Sequence, residues 1–352
     1  AVPQSVYESC LNDTRPKLQA AYQSVITSHD LAALVLPASP ATAPLIGQDE
    51  TFELNGLDVP TYMTLTRNLR PTSVIGCPSI SVLLIARISF GEIEKLKVTN
   101  LYNYPIKGLS AQPLQSVELK ANSGFPSDRK FALALPTTKF DESNPKPVPK
   151  TKFLMLMSHE TLARLKTFYD AQTGTFIIED ANGIKQLQAN LDTPDGLRDI
   201  EAFFYKYMDD QLDAPPRIVS AEQHQFTDVS VVSETMMRAI SLLNLASLRD
   251  VERATGKSLH PLRFRANLYF DGGAPWQEFD LMDKEIEVGG VPMRIIFRTR
   301  RCPATQVNPE TALRDIDTPA EIKQHFGHTD LGVYAEVLGD GEVAIGDEIT
   351  LI

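Results

Sequence analysis

Short apolar runs alternate with turn residues from Lys97 to the end of the chain, and this pattern constrains the fold more than any other feature. In the run 291–298 (VPMRIIFR), apolar and polar positions alternate as in a half-buried strand. The predicted strands are Val98–Leu101, Val117–Leu119, Ala266–Phe270, Ile286–Val288, Val291–Phe297, Gly332–Leu338 and a final pair within 342–352. Many short strands with few helices predict a mainly β chain with α+β elements and a closed β-barrel, rather than repeated βαβ units.

Four stretches carry apolar residues at helical spacing and are predicted as helices. They are Thr14–His29, Leu162–Tyr169, Leu197–Tyr207 and Asn244–Gly256. The last of these has the best-defined ends, because Asn is a favourable N-cap residue and Gly a favourable C-cap residue.

Length and charge limit the classes of function. A chain of 352 residues has room for two or three domains at roughly 100–200 residues each. The net charge of −11 argues against a nucleic-acid-binding surface over the whole protein, because such surfaces are basic. The most apolar stretch, Ser79–Phe90, contains Arg87 and is too short to cross a bilayer, so no membrane span is expected.

The cysteines are few and far apart. Cys10, Cys77 and Cys302 form no CxxC pair and no cluster with zinc-ligand spacing. This predicts neither a disulfide framework nor a structural zinc site, and it favours a reducing compartment such as the cytoplasm.

One cysteine lies in a markedly basic stretch of this acidic chain. Four arginines lie in the eight residues that end directly before Cys302, namely Arg294, Arg298, Arg300 and Arg301, and Arg263 and Arg265 lie just before an earlier predicted strand. Guanidinium groups suit phosphate oxygens, and neighbouring positive charge favours the thiolate that coordinates soft metals. The same residues are also typical of a solvated strand face and of a small core residue, and spacing alone leaves both interpretations open.

Five segments, in this order, resemble the MOSC family, including its N-terminal β-barrel domain. They are Asn103–Gly108 (NYPIKG), Ser127–Phe131 (SDRKF), Leu262–Asn267 (LRFRAN), Arg300–Pro309 (RRCPATQVNP) and Leu331–Val337 (LGVYAEV). The family includes the mitochondrial amidoxime reducing component, its bacterial relatives and the C-terminal domain of molybdenum-cofactor sulfurases. The resemblance implies a MOSC N-terminal β-barrel domain over 96–215 and a MOSC domain over 216–352.

Residues 1–90 resemble a different family. Leu34–Gly47 (LVLPASPATAPLIG) and Thr66–Val82 (TRNLRPTSVIGCPSISV) are similar to the C-terminal part of amidase-signature hydrolases. Those enzymes use a Ser–Ser–Lys set from a Gly/Ser-rich region upstream of this part, and residues 1–90 do not supply it. The expectation is a short α/β amidase-like C-terminal fragment.

The MOSC resemblance assigns roles residue by residue. Cys302 takes the position of the family's molybdenum-ligating cysteine and is the candidate catalytic residue. The residues expected at the molybdopterin are Lys107, Arg129, Asn244, Ser247, Arg265, Asn267, Arg301 and Tyr334. Two positions depart from the pattern, because Gly108 and Arg300 stand where amidoxime reductases often carry Ser.

The implied cofactor is molybdenum–molybdopterin, and the implied function is an oxidoreductase that reduces N-hydroxylated small molecules. No CxxC-rich or flavin-binding pattern is present, so an external electron-transfer protein, an iron–sulfur or flavin reductase, is the expected partner. The first alternative is a sulfur carrier with a persulfide on Cys302, or a binding module for the molybdenum cofactor. The other is an amidase-type hydrolase governed by residues 1–90.

Overall fold

A computed structural model describes residues 3–28, 51–54, 57–60 and 95–352. The chain divides into two compact units, residues 1–89 and 90–352. None of the helices in these described ranges has the length and apolar character needed to cross a membrane. The apolar stretch Ser79–Phe90 lies outside the described residues.

The described part of the first unit contains two helices and a hairpin. Helix α1 (Gln4–Ser9) continues through a π turn into α2 (Arg15–Ser28), which confirms the helix predicted over Thr14–His29. Strands β1 (Thr51–Leu54) and β2 (Leu57–Pro60) pair antiparallel.

The second unit is mainly β with a few helices, which confirms the predicted fold class. Its strands are β3 (Lys97–Asn103), β4 (Gln112–Leu114), β5 (Ser116–Leu119), β6 (Phe131–Ala134), β7 (Lys166–Asp170), β8 (Thr175–Glu179), β9 (Lys185–Asn190), β10 (Arg217–Ser220), β11 (Ile240–Asn244), β12 (Leu268–Asp271), β13 (Glu285–Val288), β14 (Val291–Arg300), β15 (Asp330–Val337), β16 (Gly341–Ala344) and β17 (Ile349–Leu351). Its α-helices are α3 (Pro194–Met208), α4 (Glu234–Arg238), α5 (Leu245–Thr255) and α6 (Thr318–Phe326).

The largest sheet closes on itself. Its strand order is β17-β13-β14-β15-β11-β12-β3-β4, with β11 and β12 parallel and the other neighbours antiparallel. A bridge between Lys97 and Glu348 joins β3 to the segment before β17, and the Ile349 amide donates to the Leu96 carbonyl at 2.8 Å. The sheet therefore includes strands from both predicted MOSC domains, and the division at 215/216 stays a prediction.

Alternation along β14 and β15 builds the centre of this barrel. Val291, Met293 and Ile295 are fully buried and lie in one apolar cluster with Val333 and Val337 from β15. Because the apolar positions are two residues apart, they all point to the same face of the strand.

A second core packs α3 against two smaller sheets. Ile200, Phe204 and Met208 on α3 are buried there, and β7-β8-β9 and β6-β10 are the sheets. The Thr193 side chain caps the helix by accepting from the Gly196 amide at 3.2 Å. The helix predicted around Leu197–Tyr207 is confirmed.

The helix predicted over Leu162–Tyr169 is wrong. A short 3₁₀ turn at Glu160–Arg164 is followed by strand β7. Phe168 is 50% exposed whereas Tyr169 is buried, so the apolar residues follow strand alternation and do not share a helical face. Pairing of β7 with β8, which the local sequence cannot supply, stabilises the strand.

The helix predicted from Asn244 to Gly256 is confirmed as α5. The Asn244 side chain accepts from the Ala246 amide at 2.9 Å, and Gly256 ends the helix in the left-handed region at φ +67°.

Replacing Gly196 tests how closely the start of α3 packs against Asn190 at the end of β9. A Cβ at this position would lie 2.1 Å from the Asn190 carbonyl oxygen, so Gly196→Ala should lower the free energy of unfolding by about 1–3 kcal/mol through overpacking. Helix propensity alone predicts that Gly196→Ala raises the free energy of unfolding, because Ala is favoured over Gly inside a helix. Urea denaturation followed by circular dichroism distinguishes the two, and a more stable variant would contradict the packing argument.

Candidate functional site

A cavity of about 260 Å³ brings distant parts of the second unit together. Of the predicted site residues, those that line it are Lys107, Arg129, Arg265, Asn267, Arg301, Cys302 and Tyr334. Asn244 and Ser247 are not among its lining residues. The wall also includes Arg263 from the predicted arginine cluster, and it includes residues that sequence reasoning did not find, notably Lys150, Asp228 and Thr299.

Cys302 follows the end of β14 and begins a 3₁₀ turn, Pro303–Gln306. Its carbonyl accepts from the Thr305 amide at 3.0 Å and the Thr305 hydroxyl at 2.9 Å, so the backbone at the cysteine is fixed. The thiol is free and half-buried. Within the described residues, no group of three or more His, Cys, Asp or Glu side chains is arranged to hold a metal ion.

Arg301 is a structural support of the cavity wall. Its Nε donates to the Leu331 carbonyl at 2.7 Å and its Nη1 to the Phe264 carbonyl at 2.9 Å. A third donor, Nη2, also reaches the Leu331 carbonyl. Burial lowers the pKa of Arg301 from its ordinary value. These contacts fix the residue next to Cys302 to strand β15 and to the turn before β12.

An acidic side chain bridges two lysines at the cavity. Lys107 Nζ donates to Asp228 Oδ1 at 2.5 Å and to the Phe226 carbonyl at 2.9 Å, and Lys150 Nζ donates to Asp228 Oδ2 at 3.0 Å. Burial opposes ionisation of Asp228, but the two lysines outweigh it and hold its pKa well below the usual range. Burial opposes the charge of Lys150, but the neighbouring Asp228 and Cys302 outweigh it and raise the pKa of Lys150. Asp228 lies in a turn and Lys150 begins a short 3₁₀ turn, Lys150–Lys152, and no spacing pattern in the sequence marked either residue.

Two arginines stack on one tyrosine. The guanidinium carbons of Arg129 and Arg265 lie 4.6 and 4.3 Å from the centroid of the Tyr104 ring. Arg129 Nη1 pairs with Asp128 at 2.5 Å and its Nη2 donates to the Arg265 carbonyl at 3.0 Å. Arg265 Nη1 donates to the Leu109 carbonyl at 2.6 Å. Burial, together with the nearby Arg129, lowers the pKa of Arg265 to about 10.

The backbone at both arginines is unusual. Arg129 and Arg265 have φ values of +47° and +51°, a left-handed conformation that costs a non-glycine residue roughly 1–2 kcal/mol. Such strain persists where the surroundings impose it and often marks functional sites. Here it aims two guanidinium groups at one cavity.

Asn267 and Tyr334 sit on barrel strands or beside them. Asn267 Oδ1 accepts from the Ser241 hydroxyl at 2.9 Å, and its Nδ2 donates to the Tyr102 carbonyl at 3.3 Å. Asn267 therefore links three neighbouring strands from the cavity wall. Burial raises the pKa of the Tyr334 phenol, and the neighbouring Asp228 adds to the rise.

Asn244 and Ser247 contact a buried carboxyl group. Glu278 Oε2 accepts from Asn244 Nδ2 at 3.0 Å and from the Ser247 hydroxyl at 2.8 Å, at the start of α5. Burial raises the pKa of Glu278. The anion favoured at this helix N-terminus is thus supplied by the protein itself, and the assignment of these two residues to a cofactor stays a prediction.

The fold and the cavity together define a class: a mainly β protein with a strongly cationic cavity and a single thiol in its wall. Within this class, residues 222–350 match the family model described as "MOSC domain". The MOSC resemblance deduced from the sequence motifs is therefore confirmed for that part of the chain.

Individual relatives cover the chain only in part. A mitochondrial amidoxime reducing component 2 from Bos taurus is 28% identical over 122 residues, 31% of this chain and 36% of that protein. A molybdenum cofactor sulfurase from Drosophila grimshawi is 30% identical over 127 residues, 32% of this chain and 16% of that protein.

A third relative belongs to a different class. An indoleacetamide hydrolase from Allorhizobium ampelinum is 38% identical over 81 residues, 23% of this chain and 18% of that protein. The partial hydrolase resemblance is confirmed, and the match spans less than a fifth of that relative's length.

The role of Glu278 can be tested by mutation. Glu278→Ala should cost about 1–3 kcal/mol of unfolding free energy, because it leaves the buried Ser247 hydroxyl without an acceptor and removes one of the two acceptors of Asn244 Nδ2, the other being the Ala274 carbonyl at 3.2 Å. A raised pKa means that the contribution of Glu278 is complete at low pH and declines as the pH rises above its ordinary value of 4.5. Glu278→Gln, which does not titrate, should therefore gain stability relative to wild type as the pH rises above 4.5. If the unfolding free energies of wild type and Glu278→Gln change with pH in the same way, the raised pKa of Glu278 is refuted.

Proposed function

We propose that this protein binds a molybdenum–molybdopterin cofactor in the Cys302 cavity and reduces N-hydroxylated small molecules with electrons from a separate protein. One observation carries the proposal: Lys107, Arg129 and Arg265, which are far apart in the sequence, line one cavity with Cys302. The names of the amidoxime-reducing and cofactor-sulfurase relatives support a function related to the molybdenum cofactor.

The residues present fit such a group. Lysine and arginine side chains around one cavity suit a phosphate, and a thiol suits a soft metal ion. Gly108 lies in the same cavity wall, and its surroundings favour glycine. A Cβ there would lie 2.9 Å from the Leu154 carbonyl oxygen, and its φ of +83° is one that other residues rarely adopt. A serine side chain would therefore be strained at this position, and phosphate binding is assigned to Lys107 and to the arginines.

Each residue near the thiol has a role in the proposal. Cys302 supplies the protein ligand to the metal, and the bound molybdenum would supply the two-electron chemistry. Reducing an N-hydroxyl group to N–H releases water and consumes two electrons and two protons. Lys150, hydrogen-bonded to Asp228 and beside Cys302, holds a proton where this reaction needs one. The electrons come from the partner protein.

A sulfur carrier is the second candidate function. A free, half-buried thiol next to the Lys150 ammonium also suits a persulfide, because the cation stabilises its negative charge. Such a carrier has no need for a phosphate site, and this difference makes the two proposals separable. A hydrolase is the least favoured alternative, because residues 1–90 lack the Ser–Ser–Lys set that amidase-signature enzymes use.

Replacing the thiol tests the metal assignment. Cys302→Ser should abolish stoichiometric molybdenum in protein purified from a cofactor-competent host, while the thermal midpoints of the cofactor-free wild type and variant stay nearly equal. Elemental analysis and calorimetry are the measurements. Full molybdenum content and activity in the serine variant would refute Cys302 as the ligand.

Replacing Arg265 separates the reductase from the sulfur carrier. A charge-assisted hydrogen bond contributes roughly 1.5–3 kcal/mol, so Arg265→Ala should reduce pterin retention about ten- to a hundredfold. Arg265→Lys should restore it only in part, because the bidentate fork is lost. Persulfide loading of Cys302 should stay nearly intact in both variants.

The matched control for Arg265 is Arg294→Ala. Arg294 lies on β14 but pairs with Glu285 and Glu336 and does not line the cavity. Because Arg265 also binds the Leu109 carbonyl, the stability of each cofactor-free variant is measured alongside pterin content. Pterin retention that stays at the wild-type level in Arg265→Ala would overturn the cofactor-site proposal.

A further inference from the structure

Thr299 presents a hydroxyl group in the cavity wall that the protein does not use. It is the residue before Arg300 on β14, it is 4% exposed, and it lines the cavity. Among the described residues, its Oγ1 has no hydrogen-bond partner. The pairing of β14 with β15 is irregular at two places, between Ile295 and Phe297 and between Arg298 and Arg300, and Thr299 lies within the second. Such bulges change the direction in which a side chain points.

Arg263 presents a second unused donor to the same cavity. Its Nη2 binds both oxygens of Asp315, at 2.6 and 2.7 Å, and its Nη1 donates to the Gln306 carbonyl at 2.9 Å. These bonds hold the guanidinium rigidly, and the residue is 3% exposed. Its Nε–H finds no partner in the described part of the chain.

Both donors flank the cysteine. Thr299 lies near the end of β14, shortly before Cys302, and Arg263 binds the turn that Cys302 begins. A buried donor without a partner costs about 1–3 kcal/mol, and native proteins seldom keep one without a reason. Two of them in the wall of one cavity indicate a bound molecule that accepts both hydrogen bonds.

We propose that Thr299 Oγ–H and Arg263 Nε–H bind the polar edge of the pterin ring, a role that rests on the proposed function. The charge of Arg263 is already balanced by Asp315, so its Nε acts toward a ligand as a directed donor. Neutral acceptors such as ring nitrogens and carbonyl oxygens suit this pair better than a phosphate does. A permanently bound cofactor suits these donors better than a substrate does, because a substrate that leaves after each turnover would leave both donors unpaired.

Thr299→Val tests this inference, since it removes the hydroxyl and keeps the shape. In protein from a host that makes no molybdenum cofactor, the variant should be more stable than wild type, with a thermal midpoint about 2–4 °C higher. In protein from a cofactor-competent host, pterin retention during dialysis should fall about fivefold, the value of one hydrogen bond. Thr299→Ser keeps the hydroxyl and should retain pterin like wild type.

Thr161→Val is the matched control. Thr161 Oγ1 is also buried without a partner among the described residues, but Thr161 does not line the cavity. This variant should gain stability and leave pterin retention unchanged. Wild-type retention in Thr299→Val, with pterin present in wild type, would overturn the role of Thr299 and leave the proposed function standing. Wild-type protein without pterin would instead overturn the proposed function, and with it this inference.

Discussion

The hydrogen bonds of Arg301 to backbone carbonyls hold the two sides of the site together. Its guanidinium binds Leu331 on β15 and Phe264 in the turn before β12, so the segment after β14 that contains Cys302 is fixed to two other segments of the unit. A buried arginine is tolerated here because carbonyl oxygens replace the water that it loses. Gly332 makes this close packing possible, since a Cβ there would lie 2.4 Å from the Leu242 carbonyl. The direction of the Cys302 thiol depends on this arrangement.

Charge balance governs the remainder of the cavity. Lysine and arginine side chains crowd its wall, and Asp228 is the carboxylate that bridges two of them. Because burial opposes ionisation of every group, Lys107 has a lowered pKa even with Asp228 beside it. Some cations are satisfied by the protein itself, as Arg263 is by Asp315. The unpaired donors at Thr299 and Arg263 are then the part of the wall that internal contacts do not explain.

Sequence reasoning succeeded where the physical signal was local. Alternation over 291–297 predicted β14, and the two capping residues predicted the ends of α5. It failed at Leu162–Tyr169, where pairing with β8 decides the structure. It did not find Asp228, Lys150 or Thr299, because an irregular segment or a bulged strand position has no periodicity to mark it. The MOSC resemblance brought Lys107, Arg129 and Arg265 to one site, and their contacts with Tyr104 and Asp228 were visible only in the structure.

By itself the sequence determined the mainly β character of residues 97–352 and the basic surroundings of Cys302, because strand alternation and residue type are written in the order of the chain. Only the tertiary structure decided which polar groups meet. It directs the Asn244 and Ser247 side chains to Glu278, and within the described ranges it leaves the Thr299 hydroxyl without a partner. The reason is that a buried hydrogen bond depends on distance and direction between groups far apart in sequence, and strand pairing and barrel closure set both.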